Sequence, residues 1–286
     1  MGRSSEPVRR ASQSSRPWRD APGRERDRRE RPSRDAATPA HVPPPPLPED
    51  IAAAALDAQV RQDLRGLQKD VAETVARHLV AAGTLVDEDP ALALEHARYA
   101  RRRASRIAAV REAAGITAYL AGEWAEALGE LRAARRMGGG PGHLAMMADI
   151  ERALGRPERA LELARSPEAA ELGPAETIEL AIVAAGARRD LGELDAAVVS
   201  LQQPELDPAR REPWSARLFY AYADNLLAAG RDAEALEWFV HAANVDDDGL
   251  TDADDRIAEL TADDTDDEPE PDTDDTGPEG ETVALP

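Results

Sequence analysis

Residues 122–128 read Gly122-Glu123-Trp124-Ala125-Glu126-Ala127-Leu128, and the same frame returns three more times. It recurs as Gly155-Arg156-Pro157-Glu158-Arg159-Ala160-Leu161, as Gly192-Glu193-Leu194-Asp195-Ala196-Ala197-Val198 and as Gly230-Arg231-Asp232-Ala233-Glu234-Ala235-Leu236. In each, glycine is followed five residues on by alanine and then by an aliphatic side chain. A degenerate copy without the glycine is Glu88-Asp89-Pro90-Ala91-Leu92-Ala93-Leu94. The alanines Ala93, Ala127, Ala160, Ala197 and Ala235 are spaced by 34, 33, 37 and 38 residues. Twelve residues before each stands another small residue: Ala81, Gly115, Ala148, Ala185 and Ala223. A period of this length marks stacked supersecondary units. Small residues let paired helices approach closely, and glycine accepts the backbone of a tight turn between them.

The residues between these marks carry helical periodicity from about Asp57 to Val245. In Trp124–Ala134 the apolar side chains fall at helical spacings, and Glu and Arg take much of the other face. No stretch alternates with period two for long enough to form a strand. Helix starts are expected at Asp89-Pro90, Pro141, Gly173-Pro174 and Asp207-Pro208, because proline is tolerated in a first turn. The fold class read from the residues is all-α.

In this pattern the chain resembles the tetratricopeptide repeat family over roughly residues 71–245. The resemblance implies an α-solenoid of about five helix pairs with small residues at the helix contacts. The turn glycines are Gly122, Gly155, Gly192 and Gly230. The longer spacings imply extended loops at 165–174 and 203–213. The expected organisation is a basic Arg/Pro-rich disordered arm (1–46), an N-terminal capping helix (47–70), the solenoid (71–245), a C-terminal capping segment (246–260) and a disordered acidic tail (261–286). In this family the first helix of each pair lines a concave groove that receives a peptide. The register assigns Glu112, Tyr119, Asp149, Arg152, Arg189, Tyr220 and Asp224 to that groove. The family's carboxylate-clamp pattern of Lys and Asn is missing, since the matching positions in repeat two hold Glu112 and Ile116.

Composition narrows the function further. With aromatics at 3 %, the core must be built from Ala and Leu. There is no Cys, so no disulfide framework and no thiolate metal site. No apolar run is long enough for a membrane span, and no secretory signal is visible, so a cytoplasmic protein is expected. Of the 35 basic residues 34 are Arg and one is Lys69, a bias associated with GC-rich bacterial genomes. The net charge of −21 is uneven: residues 1–46 hold 11 Arg against 6 acids, and residues 246–286 hold 18 acids against one Arg. Both ends have too few apolar side chains to offset ordering entropy.

Candidate chemistry is sparse. The five His (His41, His78, His96, His143, His241) form no metal-spaced pair and read as surface or capping residues. Gly138–His143 has the look of a phosphate cradle but lacks the following Lys and Ser/Thr, so it reads as a helix break. Asn244–Asp255 matches calcium-loop spacing at its first ligand positions, with Thr251 and the short Asp255 as departures, so the start of the acidic tail is the simpler reading. Arg98, Arg101, Arg102, Arg103, Arg106 and Arg111, with Arg132, Arg135 and Arg136 one repeat on, form a basic cluster. With the arm they suggest an RNA-associated protein as the rival reading, weakened by the lack of interleaved aromatics other than Tyr99. Solvated helix faces beside Glu95 and Glu112, or docking of the chain's own acidic tail, are the alternatives. The function expected is that of a non-catalytic protein-binding adaptor, with no cofactor, an unidentified polypeptide as partner and no membrane.

Overall fold

The computed structural model describes residues 43–138 and 140–263, and every regular element among them is helical. The expected arm therefore lies almost wholly outside the described residues, as does the tail beyond 263.

The chain enters through a 3-10 turn at Ala53–Ala55, a short helix α1 (Ala58–Asp63) and a second 3-10 turn at Leu64–Gly66. The capping helix expected within 47–70 is thus broken into short pieces. Asp57 starts α1 by accepting hydrogen bonds from the amides of Gln59 and Val60, but α1 lasts only six residues. Leu64, 2 % exposed, then turns inward against the next helix. Upstream, Arg77 donates from Nε to the Ile51 carbonyl at 2.8 Å, tying the entering segment to α2.

The body consists of α2 (Lys69–Leu85), α3 (Pro90–Ala104), α4 (Ala108–Leu120), α5 (Trp124–Arg136), α6 (Leu144–Ala153), α7 (Pro157–Ala164), α8 (Pro174–Asp190), α9 (Leu194–Leu201), α10 (Ser215–Ala228) and α11 (Asp232–Ala243), followed by α12 (Ala253–Asp263). Each helix from α2 onward packs against the next, and α6 also touches α8, which touches α10. α2 likewise touches α4.

The reason these residues pair helices is visible at the turns. Gly122, Gly155, Gly192 and Gly230 all have positive φ, between 71° and 77°. Each places its own amide, and that of the next residue, on carbonyls of the last helical turn. Thus Gly122 and Glu123 donate to Tyr119 and Ala118, and Gly230 and Arg231 to Leu227 and Leu226. This is a glycine-terminated helix end, which an L side chain would strain. Five residues past the glycine the alanine enters the contact. Ala93, Ala127, Ala160, Ala197 and Ala235 are all at most 1 % exposed, and Ala81, Ala148, Ala185 and Ala223 are fully buried.

Two of the expected starts hold as written. Asp89 caps α3 through the Leu92 amide, with Pro90 in its first turn, and Pro174 opens α8. Asp207-Pro208 does not start a helix. The Asp207 carboxylate instead accepts from the Ala209 amide in a turn, and α10 begins only at Ser215. The loop expected at 165–174 contains a 3-10 turn, Pro167–Glu171. At the far end the helix runs three residues beyond the expected boundary at 260. Ile257 and Leu260 pack on the core cluster around Phe219 and Phe239, which gives α12 an apolar face to bury.

Candidate functional site

Five of the register residues, Tyr119, Asp149, Arg152, Arg189 and Asp224, are partly exposed side chains that pair with one another. On α6, Asp149 and Arg152 are three residues apart and so share a face. Asp149 accepts from the Tyr119 hydroxyl of α4 at 2.7 Å and from Arg152 Nη1 at 3.2 Å. Arg152 then reaches α8, where its Nε and Nη2 bond both oxygens of Asp190 at 2.7 and 3.2 Å. Arg189, beside Asp190, donates to Asp224 of α10. Asp224 also faces Arg256 of α12 at 3.7 Å. Two bonded series, Tyr119–Asp149–Arg152–Asp190 and Arg189–Asp224–Arg256, thus meet at neighbouring residues of α8 and together reach from α4 to α12.

Two cavities adjoin along these series. One, of about 530 Å³, is lined by Arg152, Arg189, Arg217, Tyr220, Asp224 and the loop residues Gly249–Asp252, among others. The second, of about 580 Å³, is lined by Tyr119, His143, Asp149, Arg152, Glu179 and Arg217, among others. Arg152, Arg217 and Ile182 border both, so the two form a continuous depression. Ile182, Val183, Met146, Ala221 and Leu250 supply its apolar surface.

The electrostatics follow from half-burial. Burial works against the charge on Arg152, but the Asp190 hydrogen bonds and the nearby carboxylates hold its pKa above the usual arginine value. Burial, then the hydrogen bond to Asp149, pushes the Tyr119 phenol up to about 12. Tyr220 is raised by burial and by its bond to Asp252. Space is also arranged for Arg152. A β-carbon on Gly186 would lie 2.6 Å from its Cζ, so the guanidinium lies directly on the bare backbone of α8.

Six of the seven register residues therefore line this depression, and Glu112 stands apart. It accepts from His143 Nε2 at 2.8 Å, and this bond holds its carboxyl below the usual range. The sequence reading passed over Arg217, Glu179, Asp190 and Asn225. Arg217 bonds Glu179 in a fork at 2.7 Å on each side, and Asn225 is 5 % exposed with its Oδ1 buried and unbonded beside the first cavity. Arg217 lies three residues before Tyr220, on the same helix face, so extending the register by one turn would have found it.

The arginine cluster is arranged differently from a free basic patch. Arg98 forks onto Glu126, Arg101 and Arg111 meet Glu130, Arg132 bonds Glu151 at 2.5 Å, and Arg135 faces Glu168. The partners come from neighbouring helices, not from the expected Glu95 and Glu112. Arg102, Arg103 and Arg106 remain exposed, the first two against the Tyr99 ring.

In the calcium-like stretch, the Asp246 carboxylate already accepts from the Leu250 and Thr251 amides and the Thr251 hydroxyl. Among the described residues no group of three or more His, Asp or Glu is arranged to hold a metal ion. No described helix is long and apolar enough to cross a membrane.

The histidine reading needs correction. His78 and His96 are 1 % and 0 % exposed and face each other across α2 and α3, with their Nδ1 atoms 2.8 Å apart. Neither is a surface or capping residue. Each lies three residues from a buried alanine of the repeat frame, Ala81 or Ala93, and that spacing was the available signal.

No family model and no curated protein matches the chain.

Proposed function

We propose that the chain is a tetratricopeptide-type α-solenoid acting as a non-catalytic scaffold, and that it binds an extended segment of another polypeptide along α4, α6, α8 and α10. The observation that carries this reading is the continuous depression bordered by Arg152 and Arg217. Residues from four successive even-numbered helices meet there, at positions the repeat register assigns to one face. The recurrent left-handed glycines and buried alanines support the repeat part of the reading.

The surface offers spare guanidinium N–H groups beside half-exposed carboxylates, with apolar patches between. Such a lining suits a peptide backbone, which presents donors and acceptors in alternation, better than it suits a polyanion. The pairing of Arg98, Arg101, Arg111 and Arg132 with carboxylates favours the peptide over RNA.

The test is selection of binders from a displayed peptide library with the full chain, followed by affinity measurement on variants. Arg152→Glu and Arg217→Glu should each weaken the selected peptide about tenfold or more, the loss expected when a charge covered by the bound peptide is reversed. Arg159→Glu, exposed on α7, should leave affinity unchanged. Equal affinity in all three variants would remove the depression from consideration.

A further inference from the structure

We propose that His78 and His96 form an acid-operated latch, which holds α2 onto α3 while both rings are neutral and releases the N-terminal helix pair when a proton enters.

The geometry carries the argument. Two imidazoles share a single hydrogen bond, Nδ1 to Nδ1 at 2.8 Å, so one nitrogen must donate and the other accept. His96 Nε2 is buried without a partner. An unbonded N–H there costs more than an unbonded lone pair, so the favourable tautomer has His96 Nδ1–H donating to His78 Nδ1. A further proton then has two destinations. On His78 Nδ1 it sets two N–H groups against each other and breaks the bond. On His96 Nε2 it creates a charged donor with no acceptor in reach.

The surroundings do not compensate the charge. On α2 the titratable neighbours are Arg77, whose Nε is committed to the Ile51 carbonyl, and the exposed Lys69, Asp70 and Glu73. The 3-10 turn before α2 adds the exposed Arg65. On α3 stand Glu95, Tyr99, Arg102 and Arg103, with the Tyr99 ring 4.3 Å from that of His78. From α4 come Arg111, bonded to Glu130 and the Ser105 carbonyl, and Glu112, bonded to His143. From α5 come Glu126 and Glu130, engaged by Arg98, Arg101 and Arg111. The α4 and α5 carboxylates are thus engaged by other groups, leaving Glu95 to favour an imidazolium on His96, while Arg77, Arg102 and Arg103 oppose one on His78. Burial first, then His96 and these arginines, lowers His78 to about 4, and burial lowers His96 against a smaller opposing effect of Glu95.

The sign follows from linkage. These groups bind protons more readily in the released state, so the latch is complete above the ordinary histidine value of 6.5 and weakens as pH falls toward 4. What release uncovers is apolar: Val75, Ala76 and Leu79 of α2 would leave Ala100, Ala104 and Val110.

Hydrogen exchange of the full chain, corrected for intrinsic rates, tests this at about pH 7.5 and about pH 5. Protection of α2 and α3 should fall about 30-fold from His78 alone, the population change that a shift from 6.5 to about 4 produces at the lower pH. In the double variant His78→Leu/His96→Leu the same amides should lose less than about threefold. Equal loss in both proteins, or no loss in the wild type, overturns the latch. An NMR titration of the wild-type imidazoles gives a reading that needs no variant. The His78 signal must stay neutral at about pH 5, and its titration near 6.5 would also overturn the latch.

Discussion

Gly115 of α4 sits so close to Leu131 of α5 that a β-carbon on the glycine would lie 2.7 Å from Leu131 Cγ and 3.1 Å from the Leu131 backbone nitrogen. The approach of the two helices is therefore set by the absence of a side chain at 115. Gly115→Ala should cost about 1–3 kcal/mol through overpacking, although alanine is the better helix former. Gly129, exposed on α5 with nothing within 4 Å of its missing β-carbon, is the control. Gly129→Ala should stabilise by about 0.5–1 kcal/mol. Urea midpoints of the two variants should move in opposite directions.

Ala127 occupies the same kind of contact one turn earlier on α5. It is 0 % exposed among Leu94, Ala118, Leu131, Met147 and Ile150. Ala127→Leu should destabilise by about 1–3 kcal/mol. An unchanged melting curve would contradict the tight packing described here.

Glu151 is a buried carboxylate, 1 % exposed, bonded to Arg132 at 2.5 Å, and Arg132 itself is 41 % exposed. The two ends of this pair are unequal. Arg132→Ala leaves the buried charge only the longer contact with Arg156, at 3.5 Å, and should cost about 1.5–3 kcal/mol at neutral pH. Glu151→Met removes the buried charge and returns the arginine to water, so it should cost distinctly less. A larger loss from Glu151→Met than from Arg132→Ala in parallel denaturant titrations would refute this asymmetry.

Tyr119 should make the protein sensitive to alkali. Its phenol is raised from 10 to about 12 in the folded chain, so the folded state keeps a proton that the unfolded state gives up. Stability from this residue is complete below about pH 10 and declines between about pH 10 and 12. Tyr119→Phe should lose the Asp149 hydrogen bond at neutral pH yet show a shallower decline across that window. Melting temperatures measured at several alkaline pH values would display the difference in slope.

The helical frame was legible because it is written in residues with few alternatives. A glycine at φ near 75° and an alanine with no exposed surface can be read from one sequence, since backbone strain and steric exclusion act locally. The partners of the arginines were not legible. Glu126, Glu130, Glu151 and Asp190 lie 19 to 38 residues from the arginines they bond. Which carboxylate is met depends on how one helix pair is rotated against the next. Asp207-Pro208 misled for the opposite reason: proline permits a helix start without requiring one. The paired histidines were hidden because a polar residue on an apolar face reads as surface until its partner across the contact is known.

The four glycine turns are closed by main-chain hydrogen bonds and use no side chain from the depression. The turns and the lining of the depression are thus written in separate alphabets. Substitutions at Arg152, Arg189, Tyr220 or Asp224 change what the surface presents and the ion pairs across it, while the turns between the helices stay closed by glycines that line none of it. A chain built this way can change the side chains that line its depression while keeping the main-chain turns that join its helices.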